Sequence, residues 1–302
     1  MILDASSLCK AGMRMGIVLK ELAVRTPGRR PIHVDVRTCV PRRERPLVLI
    51  CHGFLAYKRW GFFPHLSERL AERGFHVLTM SFSMNGIDEE TGLFAQPREF
   101  ARNTVSTEIE DLRRVCRFVR AGNLPAETPA GTAWGLLGHS RGAAVAMLVA
   151  PEFEEVRSIV TWSALGTLDR YTARRKAAWR RDGALVFSDA RSPEPLTLDY
   201  AYYEDIEAHR DAFDLPAAAA ALRIPHLFVH GERDAASTLR EASALVQAKR
   251  TGDANLAIIH GTGHTFGARH PMHRAAPALD EAVKLTADWF TRTLMTHGKE
   301  RL

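Results

Sequence analysis

The pentamer Gly138-His139-Ser140-Arg141-Gly142 directly follows the apolar run WGLLG and directly precedes AAVAMLVA, a helix-forming run. A G-x-S-x-G pentamer in that setting predicts a sharp strand-to-helix turn that lifts a serine hydroxyl above a sheet. Its glycines let the strained turn approach its neighbours without Cβ clashes. A serine hydroxyl is too weakly acidic to attack an acyl carbonyl unaided. The chemistry therefore needs an imidazole base and a carboxylate that holds the base in the right tautomer. The alternative without chemistry is an ordinary glycine-bounded turn carrying a helix-capping serine.

Partners for the serine are sought downstream, at the ends of apolar runs. Asp234 lies in HGERD, just past the run HLFVHG, with Glu232 as a rival in the same loop. Asp189, Asp199 and Asp205 have no strand in front of them and are weaker candidates. His264 lies in HGTGHTFG, where Gly261 and Gly263 supply a flexible loop able to carry an imidazole back to Ser140. His260 and His270 are its alternatives. Upstream, His52-Gly53-Phe54 closes the buried run PLVLIC, at the kind of strand end where open α/β sheets bind ligands. There the backbone N–H groups of Phe54 and Arg141 could hold an oxyanion, each contributing about 3–4 kcal/mol in comparable sites.

The elements that must position these residues follow from hydrophobic periodicity. Residues 16–26 and 31–39, separated by Pro27-Gly28, predict two antiparallel strands. Apolar runs at 46–51, 76–82, 133–138, 156–164, 226–231 and 255–261 then alternate with helical patterns at 64–73, 106–121, from 141, and 274–295. In 106–121, Ile109, Leu112, Val115, Cys116 and Val119 recur at the spacing of one buried helix face. This rhythm predicts an α/β fold with a mostly parallel sheet and helices on both faces. Residues 166–222 break it and predict a small, partly helical cap without a clear strand, inserted between core segments 1–165 and 223–302.

Within the cap, Trp179, Tyr200, Tyr202 and Tyr203 accompany Arg174, Arg175, Arg180 and Arg181. The mixture can offer aromatic walls and a positive rim to a pocket, or simply seat the cap with its arginines solvated. His139, Trp179 and Tyr202 are the candidate substrate contacts.

Composition bounds the reading. The chain of 302 residues has 46% hydrophobic and 25% charged residues, the balance of a globular protein with a large core. Its formal charge of +6 comes from short scattered arginine clusters, such as Arg29-Arg30 and Arg42-Arg43, rather than from a continuous stripe. Nucleic acid is therefore not the expected partner. Cys9, Cys39, Cys51 and Cys116 form no C-x-x-C pair and no zinc spacing, so neither a disulfide framework nor a metal site is expected. The N-terminal twenty residues lack a signal-peptide run, and no segment reaches membrane-spanning length. A cytoplasmic location without membrane contact is the expectation.

The ordered series H-G-F, G-H-S-R-G, G-E-R-D and G-T-G-H resembles the α/β-hydrolase superfamily from about residue 16 to 297, and within it bacterial cinnamoyl and feruloyl esterases and dienelactone-hydrolase-like proteins. The resemblance implies an eight-stranded sheet, a triad of Ser140, Asp234 and His264, oxyanion donors at Phe54 and Arg141, and a cap that shapes the pocket. It implies no cofactor. Dienelactone hydrolases proper use a cysteine nucleophile, so their lactone substrate is not carried over. Ala143 stands where these esterases usually have a second glycine. Arg141 beside the nucleophile could pair with a cap acid or favour a substrate carboxylate.

The expected activity is hydrolysis of a small carboxylic ester, short-chain or aryl, through a Ser140 acyl-enzyme. Peptide, thioester or lactone cleavage and acyl transfer would use the same three residues. A cofactor-free haloperoxidase-like activity is a further use of the site. An inactive binding protein on the same scaffold is the alternative of another class.

Overall fold

Along the strand Arg45–Cys51, the side chains of Leu47, Leu49 and Cys51 enter one hydrophobic cluster, while those of Val48 and Ile50 enter a second on the opposite face. A strand buried on both sides belongs in the middle of a helix-covered parallel sheet. The computed structural model describes residues 16–40, 43–126 and 128–295. Cys9, Arg42 and the N-terminal segment expected to lack a signal peptide lie outside the described residues.

Ten strands occur in chain order among the described residues: β1 (Ile17–Val24), β2 (Ile32–Cys39), β3 (Arg45–Cys51), β4 (His76–Met80), β5 (Ala130–His139), β6 (Val156–Trp162), β7 (Ala184–Phe187), β8 (Leu196–Asp199), β9 (His226–Gly231) and β10 (Ala254–Ile259). Eight form one sheet in the order β1-β2-β4-β3-β5-β6-β9-β10. β2 pairs antiparallel with both β1 and β4, and every later pairing is parallel. The expected antiparallel opening and mostly parallel sheet are thus observed. β4 is shorter than its apolar run: the Ser81 N–H still reaches the His33 carbonyl of β2, but the Ser81 hydroxyl and the Phe82 N–H turn to the loop after β3.

The α-helices among the described residues are α1 (Phe63–Glu72), α2 (Pro97–Ala101), α3 (Val105–Arg120), α4 (Arg141–Val149), α5 (Ala173–Asp182), α6 (Ala201–Ala208), α7 (Leu215–Ala221), α8 (Leu239–Ala248) and α9 (Pro277–Leu294). α3, α4 and α8 feed the first core cluster, and α1 and α9 the second. In α3 the expected stripe is buried, and Leu112 is wholly inaccessible, a burial worth about 2–3 kcal/mol for such a side chain. Thr104 caps this helix by accepting from the Thr107 N–H. No described helix is long and apolar enough to cross a membrane.

Between β6 and β9 the chain forms α5, the antiparallel hairpin β7–β8, α6 and α7, none of which joins the large sheet. The hairpin corrects the expectation of an insertion without strands. ALVF and LTLD are each too short to show a period, and eight irregular residues part them. Leu168, Trp179, Leu198, Tyr202, Phe213, Leu215 and Ala219 all join the cluster that covers one face of the sheet, so the insertion is fused to the core by apolar packing.

Candidate active site

Ser140 caps the start of α4 with φ 55° and ψ −118°, a conformation that strains any residue with a Cβ. The turn closes because its flanking glycines lack side chains. A Cβ on Gly138 would stand 2.2 Å from the Gly142 carbonyl oxygen, and one on Gly142 would stand 2.4 Å from the His52 carbonyl oxygen. Both obstacles are backbone, so neither can swing aside. Gly142→Ala is therefore expected to cost about 1–3 kcal/mol of stability or more, and to lower activity by shifting the Arg141 amide. Thermal unfolding and ester turnover measure both effects; a variant as stable as the parent would contradict the packing.

The expected acid and base arise from the other half of the sheet. Asp234 follows β9, His264 follows β10, and the backbone of Gly263 presses on Gly231, where a Cβ would meet the Gly263 carbonyl oxygen at 2.4 Å. That approach brings His264 Nδ1 to 2.8 Å from Asp234 Oδ2. Asp234 Oδ1 accepts from the N–H groups of Ala236 and Ser237, both at 2.9 Å. Burial alone would raise this carboxyl, but the hydrogen bonds from His264 and the Ser237 N–H outweigh it and hold Asp234 below the usual aspartate range. An ionised Asp234 keeps the proton on His264 Nδ1 and leaves Nε2 free to take another.

The rivals stand elsewhere. Glu232 accepts from the Gly261 N–H at 2.9 Å and lies 3.4 Å from the exposed His260, on the outer side of the loop. His270 accepts from the Gly61 N–H through Nδ1 at 3.0 Å. Neither histidine lines the cavity described below. Asp189 does line it, but in an ion pair with Arg191; Asp205 holds the Ser106 N–H at 2.9 Å.

The loop after β3 meets the turn closely. A Cβ on Gly53 would sit 3.1 Å from Ser140 Cβ, which makes glycine the fitting residue there. Among the described residues the amide N–H groups of Phe54 and Arg141 have no protein acceptor, leaving both free for an incoming oxygen. His52 sets this loop: its Nδ1 donates to the Gly53 carbonyl at 2.8 Å, and its Nε2 accepts from the Phe82 N–H at 3.0 Å. Accepting at Nε2 requires a neutral ring, and burial pushes His52 down to about 3.

Ser140, His139, Arg141, Phe54, Leu165 and His264 line one cavity of about 390 Å³ together with Leu168, Tyr171 and Tyr202 from the insertion. His139 is also held neutral at about 3, by burial and by the neighbouring His264, and its Nε2 donates to the His264 carbonyl at 2.9 Å. Tyr202 joins the wall as expected, but Trp179 does not. Trp179 is buried inside the insertion, donating to the Leu198 carbonyl at 2.8 Å and packed among Tyr171, Tyr200, Tyr202 and Tyr203. Arg174, Arg175, Arg180 and Arg181 are exposed and do not line the cavity; the guanidiniums that do are Arg141, Arg170 and Arg191. The acid paired with Arg141 is Glu108 of α3, a core residue rather than a cap acid. From the insertion, Arg141 instead receives the face of Tyr202, at 5.6 Å, opposite the Phe54 ring at 4.7 Å.

Sequence reasoning missed two contributors. Ser163, after β6, donates to the His264 carbonyl at 3.1 Å, and its hydroxyl near Asp234 helps to lower that carboxyl. His230 donates to the Ser237 carbonyl at 2.7 Å and lies 3.6 Å from Asp234 Oδ2. Their signal was position, since they stand at the carboxyl ends of β6 and β9, the two parallel strands that follow the serine's own β5 in the sheet. Strain marks the same region: the four described non-glycine residues with positive φ are Leu55, Ser140, Ser163 and Phe266, all in loops around the cavity. Cys51 and Cys116 are fully buried, and burial pushes the Cys116 thiol up to about 12, so neither offers a thiolate.

Solved structures share this architecture. A hydrolase described as putative, from Agrobacterium vitis S4, is 18% identical with a TM-score of 0.69, the match covering 91% of this chain and 99% of that one. Est1E from Butyrivibrio proteoclasticus, solved with ferulic acid bound, is 17% identical with a TM-score of 0.65 over 90% and 98% of the two chains. The esterase domain of a Rhodothermus marinus protein is 21% identical with a TM-score of 0.61 over 91% and 98%. At these identities the likeness is one of fold. No curated protein matches by sequence. The family model described as alpha/beta hydrolase matches residues 47–278, most of the chain and all of the site, and the chain belongs to the alpha/beta hydrolase family.

Proposed function

We propose that the protein is a serine hydrolase of small carboxylic esters. The observation that carries the reading is the His264–Asp234 hydrogen bond of 2.8 Å at the edge of a cavity that also holds Ser140 on its strained turn. In the first half-reaction Ser140 Oγ bonds to the acyl carbon while His264 Nε2 takes the hydroxyl proton. The Phe54 and Arg141 N–H groups hold the oxyanion of the tetrahedral intermediate. The intermediate collapses by breaking the bond to the alcohol oxygen, which receives the proton from His264. Water then repeats the sequence against the acyl-enzyme, giving the carboxylic acid and restoring Ser140.

The fold supports a chemistry of acyl transfer to water, and the esterase domain among the similar structures favours an oxygen ester over an amide. A cavity of about 390 Å³ suits an aryl or short acyl group, being near the small end of the usual range for ligand pockets. Short-chain p-nitrophenyl and simple aryl esters are accordingly expected to be cleaved with kcat/KM at least about tenfold above that for p-nitrophenyl palmitate or triglycerides. A panel of esters of increasing chain length tests this; preference for long chains would overturn the substrate assignment, and turnover of no ester would overturn the activity. A cytoplasmic location is proposed with it, supported by the buried thiols of Cys51 and Cys116.

A further inference from the structure

Three guanidiniums line the cavity, and the acyl-transfer steps do not use them. Arg141, Arg170 and Arg191 line it against a single carboxylate, Asp189. Glu108 and Glu241, which pair with Arg141 and Arg170, stand behind the wall rather than in it. Arg170 gives Nη1 to Glu241 and Nη2 to the Ala236 carbonyl. The other two guanidiniums each keep a buried N–H without an acceptor among the described residues.

Arg141 has a side chain only 7% exposed; its Nη2 donates to Glu108, and its buried Nε–H has no acceptor among the described residues. Arg191 gives Nε and Nη2 to Asp189 and Nη2 also to the Leu55 carbonyl, which leaves Nη1 buried and without an acceptor. Removing a charged N–H from water without giving it an acceptor is costly, more so than for a neutral group. Two such groups, on side chains that line one cavity and just beneath its surface, mark places for acceptors that the described residues do not supply. A guanidinium matches a planar oxyacid in both charge and geometry, a carboxylate above all. The Phe54 and Tyr202 rings fix the Arg141 plane directly beside the nucleophile, so an anion held there belongs to the molecule whose carbonyl Ser140 attacks.

We propose that the cavity selects esters bearing a second, ionised carboxylate, which Arg141 and Arg191 bind. The proposal rests on the serine-esterase reading above and goes beyond it in naming the substrate class.

Arylboronic acids test the two ideas separately, because boron takes up a serine oxygen to give a tetrahedral adduct that imitates the acyl-transfer intermediate. The probes are 3- and 4-carboxyphenylboronic acid, each against its neutral isostere, 3- or 4-carbamoylphenylboronic acid. At least one carboxylate is expected to inhibit about tenfold or more strongly than its amide, the size of one charge-assisted hydrogen bond. That preference is expected to vanish when Arg141→Gln is combined with Glu108→Gln, which removes the buried pair together and strands neither charge. It is expected to fall about threefold or more in Arg191→Gln, which decides the matter if the double variant does not fold. Equal inhibition by acid and amide at both positions would overturn the inference while leaving the serine reading intact. So would a preference unchanged in Arg191→Gln. Inhibition by none of the four would overturn the serine reading, and this inference with it.

Discussion

Ser140→Ala is expected to lower kcat on a short-chain ester by about a million-fold while leaving thermal unfolding nearly unchanged. The hydroxyl is the only atom lost, and it is the atom that forms the covalent bond. Alanine tolerates φ 55° no worse than serine does, so the turn keeps its shape, and the glycine contacts that close it are untouched. The residual rate would come from the Phe54 and Arg141 N–H groups acting on water attack. A loss of only a few fold would mean that Ser140 is a helix cap and nothing more.

The second large effect distinguishes two carboxylates of one loop. Asp234→Asn is expected to lower kcat by about ten thousand-fold, whereas Glu232→Gln changes it by less than about threefold. In the asparagine variant one oxygen can still accept from Ala236 and Ser237, as Oδ1 does now, so folding is preserved. The amide nitrogen then faces His264 Nδ1, and the imidazole must carry its proton on the wrong nitrogen. Glu232 is about half exposed and accepts only at the Gly261 N–H and from the side of His260; a glutamine oxygen can keep the backbone bond. Steady-state kinetics of the two variants decide the acid, and the reverse ranking would move it to Glu232.

Much of this arrangement was legible in the residues because it is local. The turn at Ser140 is written in five consecutive positions, and the parallel strands in apolar runs bounded by glycine. Asp234 and Glu232 share the loop after β9, and the structure separates them: the Gly231–Gly263 approach accompanies a hydrogen bond from His264 to Asp234 and none to Glu232. What escaped the sequence is what depends on contact between distant segments. The pairing of Arg141 with Glu108 spans 33 positions and joins two helices of the core. Trp179 carries the residue type of a substrate contact, but its indole N–H is taken by Leu198 and its ring by four tyrosines. The arginines of α5 looked like a rim because they are clustered; the positive wall is built instead from Arg141, Arg170 and Arg191, single residues far apart in the chain.

The most direct measurement of the central claim is the site of covalent capture by a fluorophosphonate, which traps a serine only when an adjacent base activates it. The protein is incubated with the probe, digested, and its peptides are sequenced by mass spectrometry. One adduct per chain is predicted, on Ser140 within GHSRG, absent after Ser140→Ala and strongly slowed by His264→Ala. No adduct, an adduct on another residue, or labelling that persists in the Ser140→Ala variant would contradict the account.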